Sequence, residues 1–206
     1  MEQLLIATGN PGKLQEIRSL LDSMEVILRT PDMLGISMQV EESGSTYEEN
    51  ASLKASAFAR ASGLVSLADD SGLEVDALEG LPGIRSARFS PLPNATDADR
   101  RVYLLGLLQN YPRPWYAHFH CTVSIATPEE KIYLAQGNCP GEIIPDERGT
   151  NGFGYDPIFM IPEVGLTMAE LKMTEKNRLS HRARAIKAAI PILKTILRKP
   201  NIDTTK

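Results

Sequence analysis

The chain has 206 residues, of which 42% are hydrophobic and 23% are charged. These proportions are typical of a globular protein and argue against disorder. The length allows one sizeable core, so we expect a single domain over residues 1–206 with a short polar tail at about 200–206. The formal net charge of −4 disfavours a nucleic-acid-binding protein, because such proteins usually carry a basic excess.

The N-terminal segment and the two cysteines bear on location. The apolar run at residues 3–7 is too short for a signal-peptide core, and no stretch approaches the ~20 apolar residues of a membrane span. Cys121 and Cys139 make no disulfide scaffold in a chain of this length, so we expect reduced, partly buried thiols. The prediction is a cytoplasmic protein that does not associate with membranes.

Strands and helices alternate in the first part of the chain. Residues 3–7 predict a buried strand, which leads through a glycine-rich turn into a helix with apolar residues at helical spacing. Residues 24–29 predict a second strand. Thr46 and Glu49 have the spacing of a capping box, so we expect a helix that begins at Thr46 and stops near Gly63.

The next predicted elements are two short strands at residues 64–68 and 73–78, on either side of a polar segment at residues 69–72. A helix should begin at Thr96 and run to about Asn110. These elements continue the alternation of the first part of the chain.

The second half contains the clearest strand, at residues 116–126, where apolar and polar residues alternate. A return strand is expected at 131–136. Thr167 begins another capping-box pattern, and Ser180 should cap a last helix. The irregular alternation predicts an α/β fold with a mixed twisted sheet flanked by helices, rather than a purely parallel sheet.

The first candidate binding segment is the turn before the first helix. Such a turn exposes backbone N–H groups that bind phosphate, and its glycines let the backbone approach the anion. It is not a Walker A loop, since Leu14 follows the lysine where Ser or Thr is needed. The alternative is an ordinary glycine turn. The predicted phosphate-binding residues are Thr8, Gly9, Asn10, Pro11, Gly12 and Lys13.

Three acidic residues, Glu42, Asp69 and Asp70, are candidates for a metal site. Their hard oxygen atoms suit Mg²⁺, which takes one or two carboxylates together with substrate phosphates. Adjacent acids between apolar strands also need a compensating metal ion or lysine. The alternatives are a polar turn at residues 69–72 and solvated surface carboxylates.

Two further segments are candidates for binding a base. The loop at 149–157 is rich in glycine, and Phe153 is placed to stack on a base or to serve as a core aromatic. After Ser180, His181 and Arg182 begin the last helix, where cations are unfavourable. Basic residues at this position indicate a nearby anion or base edge. The alternative is a solvated basic face.

Six collinear segments between Leu5 and about Ala185 resemble the inosine-triphosphatase family of Ham1-like non-canonical purine nucleoside-triphosphate pyrophosphatases. They read TGNPGK, EESGSTYEENASLKA, ADDSGLEVDAL, GIRSARFS, GTNGFGYDPIF and EKNRLSHR. The resemblance implies an elongated, two-lobed fold with a central cleft, a homodimer, Mg²⁺ dependence and purine triphosphate substrates such as ITP, dITP and XTP.

The same resemblance implies roles for individual residues. Glu42 and Asp70 look like metal ligands, Asp70 also being the general base, and Lys54 and Ser71 look like triphosphate contacts. The base and sugar pocket is implied to consist of Phe153, Gly154, Tyr155, Asp156, Lys176, His181 and Arg182. Rejection of ATP is expected to come from donors aimed at the 6-oxo group, with Arg182 as a candidate.

Three other interpretations remain open. A Maf-like pyrophosphatase would act on other modified nucleotides, and a nucleotide-binding sensor would bind without turnover. A nucleic-acid-binding module is disfavoured by the acidic balance.

Overall fold

The computed structural model describes residues 1–197 and contains a seven-stranded mixed sheet with order β2-β1-β3-β4-β5-β6-β7. The strands are β1 (Glu2–Ile6), β2 (Val26–Arg29), β3 (Val65–Val75), β4 (Trp115–Ala126), β5 (Ile132–Ile143), β6 (Phe159–Ile161) and β7 (Leu166–Thr167). The helices are α1 (Pro11–Leu21), α2 (Tyr47–Ser62), α3 (Asp97–Leu108), α4 (Met173–Leu179) and α5 (His181–Ile196). The pairs β1–β2 and β1–β3 are parallel and the other pairs are antiparallel, so the predicted mixed α/β sheet is confirmed.

The helix starts follow local capping chemistry. Thr46 caps α2 and Ser180 caps α5 through their side-chain oxygens, as predicted. Thr96 caps α3 in a complete capping box with Asp99. At the other end of α2, Gly63 adopts the left-handed conformation (φ 66°) that favours glycine. The predicted polar tail at 200–206 lies outside the described residues.

The polar segment at residues 69–72 lies inside β3, so the prediction of two short strands separated by a turn was wrong. β3 pairs with β4 continuously from Ser66 opposite Ala126 to Val75 opposite Ala117. This pairing satisfies the backbone groups of the polar segment as well as those of its apolar flanks. The acids are therefore strand residues whose side chains alternate between the two faces of the sheet.

Two other predictions were corrected. β5 runs from Ile132 to Ile143, well beyond the expected end at residue 136, because it pairs with β4 along its whole length. Thr167 does not cap a helix. The Glu170 carboxylate accepts a hydrogen bond from the Thr167 N–H at 2.7 Å, but the chain only turns there, and α4 begins at Met173.

The apolar core has separate parts along β3. Leu67 packs with β1, α1 and α5, whereas Leu73 and Val75 pack with α3, β5 and β6. A further cluster lies between β1 and α2. The polar segment of β3 is thus flanked by apolar packing at both ends. Within residues 1–197, no helix has the length and apolarity needed to cross a membrane.

Candidate active site

A cleft of about 530 Å³ brings together segments that are distant in the chain. It is lined by most of the residues that the sequence singled out, namely Thr8, Gly9, Asn10, Lys13, Glu42, Lys54, Asp70, Ser71, Phe153, Gly154, Tyr155, Asp156, Lys176, His181 and Arg182. Pro11 and Gly12 do not line it. Gly12 instead lies against the Phe153 ring, so closely that a Cβ there would be 2.5 Å from Phe153 Cδ1.

The turn before α1 uses part of its hydrogen-bonding capacity internally. Asn10 caps the helix, accepting the Lys13 backbone N–H at its Oδ1 at 3.0 Å. The Asn10 N–H in turn donates to Thr8 Oγ1 at 3.2 Å, and Pro11 has no N–H to offer. The backbone N–H groups of Asn10 and Lys13 are therefore already used within the turn.

Asp69 and Asp70 point to opposite sides of β3, as consecutive strand residues must. Asp70 lines the cleft, where its Oδ2 accepts a hydrogen bond from Asn50 Nδ2 at 3.1 Å. Asp69 is completely buried and pairs with Lys13 at 3.1 Å and with Arg182 at 3.1 Å. Asp69 is thus the counterion of two basic side chains, and Asp70 is the acid that faces the cleft.

The pKa values of the two acids differ because their surroundings differ. Burial raises the pKa of Asp69, but Lys13 and Arg182 outweigh it and hold the pKa well below its usual range. Burial also raises the pKa of Asp70, and the charge of Glu42 adds to that effect, so the pKa of Asp70 lies above its usual range. A carboxyl group with a raised pKa in a cleft is a functional-site candidate.

Lys54 connects the two acidic segments at the cleft. Its Nζ donates to Glu42 Oε1 at 2.7 Å and to the backbone oxygen of Asp69 at 2.6 Å. Burial raises the pKa of Glu42, but the bond to Lys54 outweighs it and lowers that pKa.

Among residues 1–197 no group of three or more His, Cys, Asp or Glu side chains is arranged to hold a metal ion.

Asn50, which lies on the same predicted helix as Lys54 and was given no role from the sequence, supports this site. It is fully buried, and its Oδ1 accepts the Gly44 N–H at 2.9 Å while its Nδ2 donates to Asp70. The side chain therefore joins the segment that carries Glu42 to β3. Its position on the inner face of α2 was visible in the sequence, but its partners on other segments were not.

At the other end of the cleft, basic and acidic side chains form a buried network. Lys176 Nζ lies 2.7 Å from Glu16 Oε1 and 2.5 Å from Asp156 Oδ2. Glu16 also pairs with Arg182. The role of Glu16 was not predicted from the sequence, because its neighbouring residues do not indicate that this helical acid is buried.

Arg182 is 1% exposed, and its Nε and both Nη atoms already donate hydrogen bonds. The acceptors are Asp69, Glu16 and the Ser71 hydroxyl. The guanidinium is therefore held firmly at the edge of the cleft. A substrate contact from Arg182 would have to coexist with these bonds, so its expected role as a 6-oxo donor stays a prediction.

Aromatic side chains line the cleft beside this network. The His181 ring stacks on Phe119 with centroids 4.6 Å apart, and its buried Nδ1 has no partner among the described residues. Burial and the charge of Arg182 lower the pKa of His181 well below its usual value, so the imidazole is neutral. Phe153 lies over Lys176, whose Nζ is 5.3 Å from the ring centroid.

Comparison with known proteins decides the family. The model of the Ham1 family matches residues 4–192. The chain belongs to the Ham1 family. It is 46% identical to the dITP/XTP pyrophosphatase of Geobacter sulfurreducens, over 90% of this chain and 94% of that one. The dITP/XTP pyrophosphatase of Desulforamulus reducens is 44% identical, over 93% and 95% of the two chains.

A solved structure agrees with this assignment. The HAM1 protein from Coxiella burnetii is 38% identical, with a TM-score of 0.85 over 95% of this chain and 100% of that one. The fold of that protein is therefore shared along nearly the whole length of this chain. In this Ham1-family chain, Glu42 and Asp70 line the cleft with Lys54, and Asp156 lines it with the Phe153–Lys176–His181 group.

Proposed function

We propose that this Ham1-family protein hydrolyses non-canonical purine nucleoside triphosphates, such as ITP, dITP and XTP, to the monophosphate and pyrophosphate. The observation that carries the proposal is the composition of the cleft, where one group consists of Glu42, Lys54 and Asp70 and a second group contains Phe153, Lys176 and His181. That arrangement suits a molecule with a polyphosphate tail and a base. The two relatives named dITP/XTP pyrophosphatases, which match 90% and 93% of this chain, support it.

The same proposal includes Mg²⁺ held by Glu42 and Asp70. Both offer hard oxygen atoms in the cleft. Burial and, to a lesser extent, the charge of Glu42 raise the pKa of Asp70, and a cation between the two carboxylates would offset their repulsion. When bound, the ion would supply positive charge that stabilises phosphate oxygens. Two carboxylates are enough for Mg²⁺, since it keeps water ligands and takes others from substrate phosphates.

In the proposed reaction, a water molecule attacks the α-phosphorus and pyrophosphate leaves. Asp70 accepts the proton of that water, since it is the acid of β3 that lines the cleft. Lys13 and Lys54, both at the acidic end of the cleft, offset the negative charge that develops on the leaving group.

At the other end, Phe153 is proposed to stack on the purine and Lys176 to contact the base or sugar. Selection for a 6-oxo purine requires donors, because a polar pocket left unpaired by the wrong base can discriminate by about 10⁴-fold or more. Backbone N–H groups near His181 and the guanidinium of Arg182 are the candidates. GTP also carries a 6-oxo group, so a second element near purine position 2 must disfavour its amino group.

We further propose that the protein forms a homodimer, as its resemblance to the family implies, and that it acts in the cytoplasm. Light scattering on the purified protein tests the dimer, since a monomer at micromolar concentration would contradict it. Localisation requires fractionation of cells that express the full chain.

A pyrophosphate-release panel over ITP, XTP, GTP, ATP and modified pyrimidine triphosphates, with and without Mg²⁺, tests the function. We expect Mg²⁺-dependent release from ITP and XTP and far less from ATP and GTP. A preference for modified pyrimidine nucleotides would favour a Maf-like activity instead. Binding without pyrophosphate release from any substrate would favour a nucleotide sensor.

A further inference from the structure

Helix α3 holds the backbone of Gly154 on both sides. The Gly154 N–H donates to Asp97 Oδ2 at 2.7 Å, and the Gly154 carbonyl oxygen accepts a hydrogen bond from Arg101 Nη1 at 2.8 Å. Asp97 and Arg101 lie one turn apart on the same face of the helix. One helix thus fixes both polar groups of the residue that follows Phe153.

Arg101 also holds the beginning of the same loop. Its Nε and Nη2 donate to the two carboxylate oxygens of Glu147, at 2.8 and 2.9 Å. This is the two-point geometry that makes an arginine–carboxylate pair specific in orientation. The Arg101 side chain is 12% exposed and therefore well shielded from water. The loop from Glu147 to Gly154 is consequently pinned near both ends to a single guanidinium.

The loop needs such an anchor because of its composition. Gly149, Gly152 and Gly154 all have positive φ, at 81°, 76° and 63°. Glycine loses more conformational freedom on ordering than other residues, so a loop with three of them is held in one conformation only by contacts. Phe153 lies between two of these glycines in sequence, and its ring lies close to Gly12 and to the Lys176 ammonium group.

We propose that Arg101 and Asp97 are positioning residues that fix Phe153 at the base-binding end of the cleft. This inference rests on the proposed function, because it gives Phe153 the role of stacking on the purine. It assigns to α3 a part in base binding that is separate from the polyphosphate end. The bonds of Asn151 and Phe153 to other segments remain without the clamp, but Gly154 loses both of its anchors. The nucleotide then has to order this end of the loop itself, so base-dependent affinity falls and polyphosphate affinity does not.

The test compares Arg101→Ala with Arg113→Ala as a matched control. Arg113 also pairs with a glutamate, through one contact of 3.3 Å to Glu142, and neither of these two residues lines the cleft. We measure the KM and kcat for ITP, the Kd of inosine monophosphate by calorimetry, and inhibition by inorganic tripolyphosphate. Arg101→Ala should weaken inosine monophosphate binding and raise the KM by about tenfold, equivalent to about 1.4 kcal/mol. Inhibition by tripolyphosphate should change less than about twofold, as should every parameter of the control.

Glu147→Ala is a second variant, in case Arg101→Ala does not fold. It keeps the Arg101–Gly154 bond but removes the exposed partner of the guanidinium, so a smaller rise in the KM, about threefold, is expected. Equal weakening of inosine monophosphate and tripolyphosphate, or no weakening of either in both variants, overturns the clamp. A wild-type protein that binds inosine monophosphate but releases no pyrophosphate overturns the proposed function, and the binding comparison then still decides on the clamp. A wild type that does neither overturns both.

Discussion

Replacing Glu16 by glutamine should destabilise the protein far more than an ordinary surface substitution. Glu16 is 3% exposed and accepts hydrogen bonds from Lys176 and Arg182, which are themselves buried. Burial raises the pKa of Glu16, but the two cations outweigh it and keep the pKa below its usual range, so the side chain is ionised. Glutamine keeps the shape and removes the charge.

The expected magnitude follows from the charges in the network. Glu16, Asp69 and Asp156 face Lys13, Lys176 and Arg182, so the acids and bases balance. Removing one acid leaves the buried network with one positive charge in excess, and breaking a buried pair costs about 3–5 kcal/mol. For a chain of this length, each kcal/mol lowers the melting temperature by roughly 2–4 °C, which gives a decrease of about 6–20 °C.

Urea unfolding and thermal melts at pH 7 measure this effect. The control is Glu130→Gln, which removes one partner of the exposed Arg60–Glu130 pair at 3.7 Å. Its urea midpoint should hardly move, because exposed ion pairs contribute little. If Glu16→Gln and Glu130→Gln unfold at the same urea concentration, the reasoning from buried charge balance is wrong.

Three other substitutions or conditions have clear expected outcomes. Asp70→Asn should lower kcat by at least ~100-fold in the pyrophosphate assay with the fold intact by circular dichroism; turnover near that of the wild type would remove Asp70 from the role of base. The lowered pKa of Asp69 and Glu16 means that their contribution is present above the unfolded pKa of about 4 and is lost as the pH falls through the folded values. Urea midpoints should therefore drop between pH 7 and pH 3, and less steeply in Glu16→Gln; parallel curves would contradict this. Gly72→Ala should cost about 1–3 kcal/mol in urea unfolding, because its Cβ would lie 2.7 Å from the Tyr47 hydroxyl and closer still to the Gly83 backbone oxygen; a wild-type midpoint would show that the backbone there can move.

Much of the fold and many of the cleft residues were predictable, for reasons that are local. Thr46 and Ser180 indicate where helices begin, because a capping side chain accepts a hydrogen bond from the backbone N–H three residues later. The alternation in β4 is visible because a strand side chain changes face at every residue. The ordered motifs from the first turn to Arg182 indicated the Ham1 family, which the comparisons confirm.

The same sequence could not decide features that depend on distant partners. The segment from Asp69 to Gly72 has turn-like composition, and only its pairing with β4 makes it a strand and sends its two acids to opposite faces. Glu16 resembles any helical acid until Lys176 and Arg182, more than a hundred residues away, surround it. Helix capping and strand alternation depend on residues that are close in sequence, so both can be predicted without knowing the tertiary structure. Burial, charge pairing and the anchoring of Gly154 by α3 come from contacts between remote segments, and these exist only once the tertiary structure has brought the segments together.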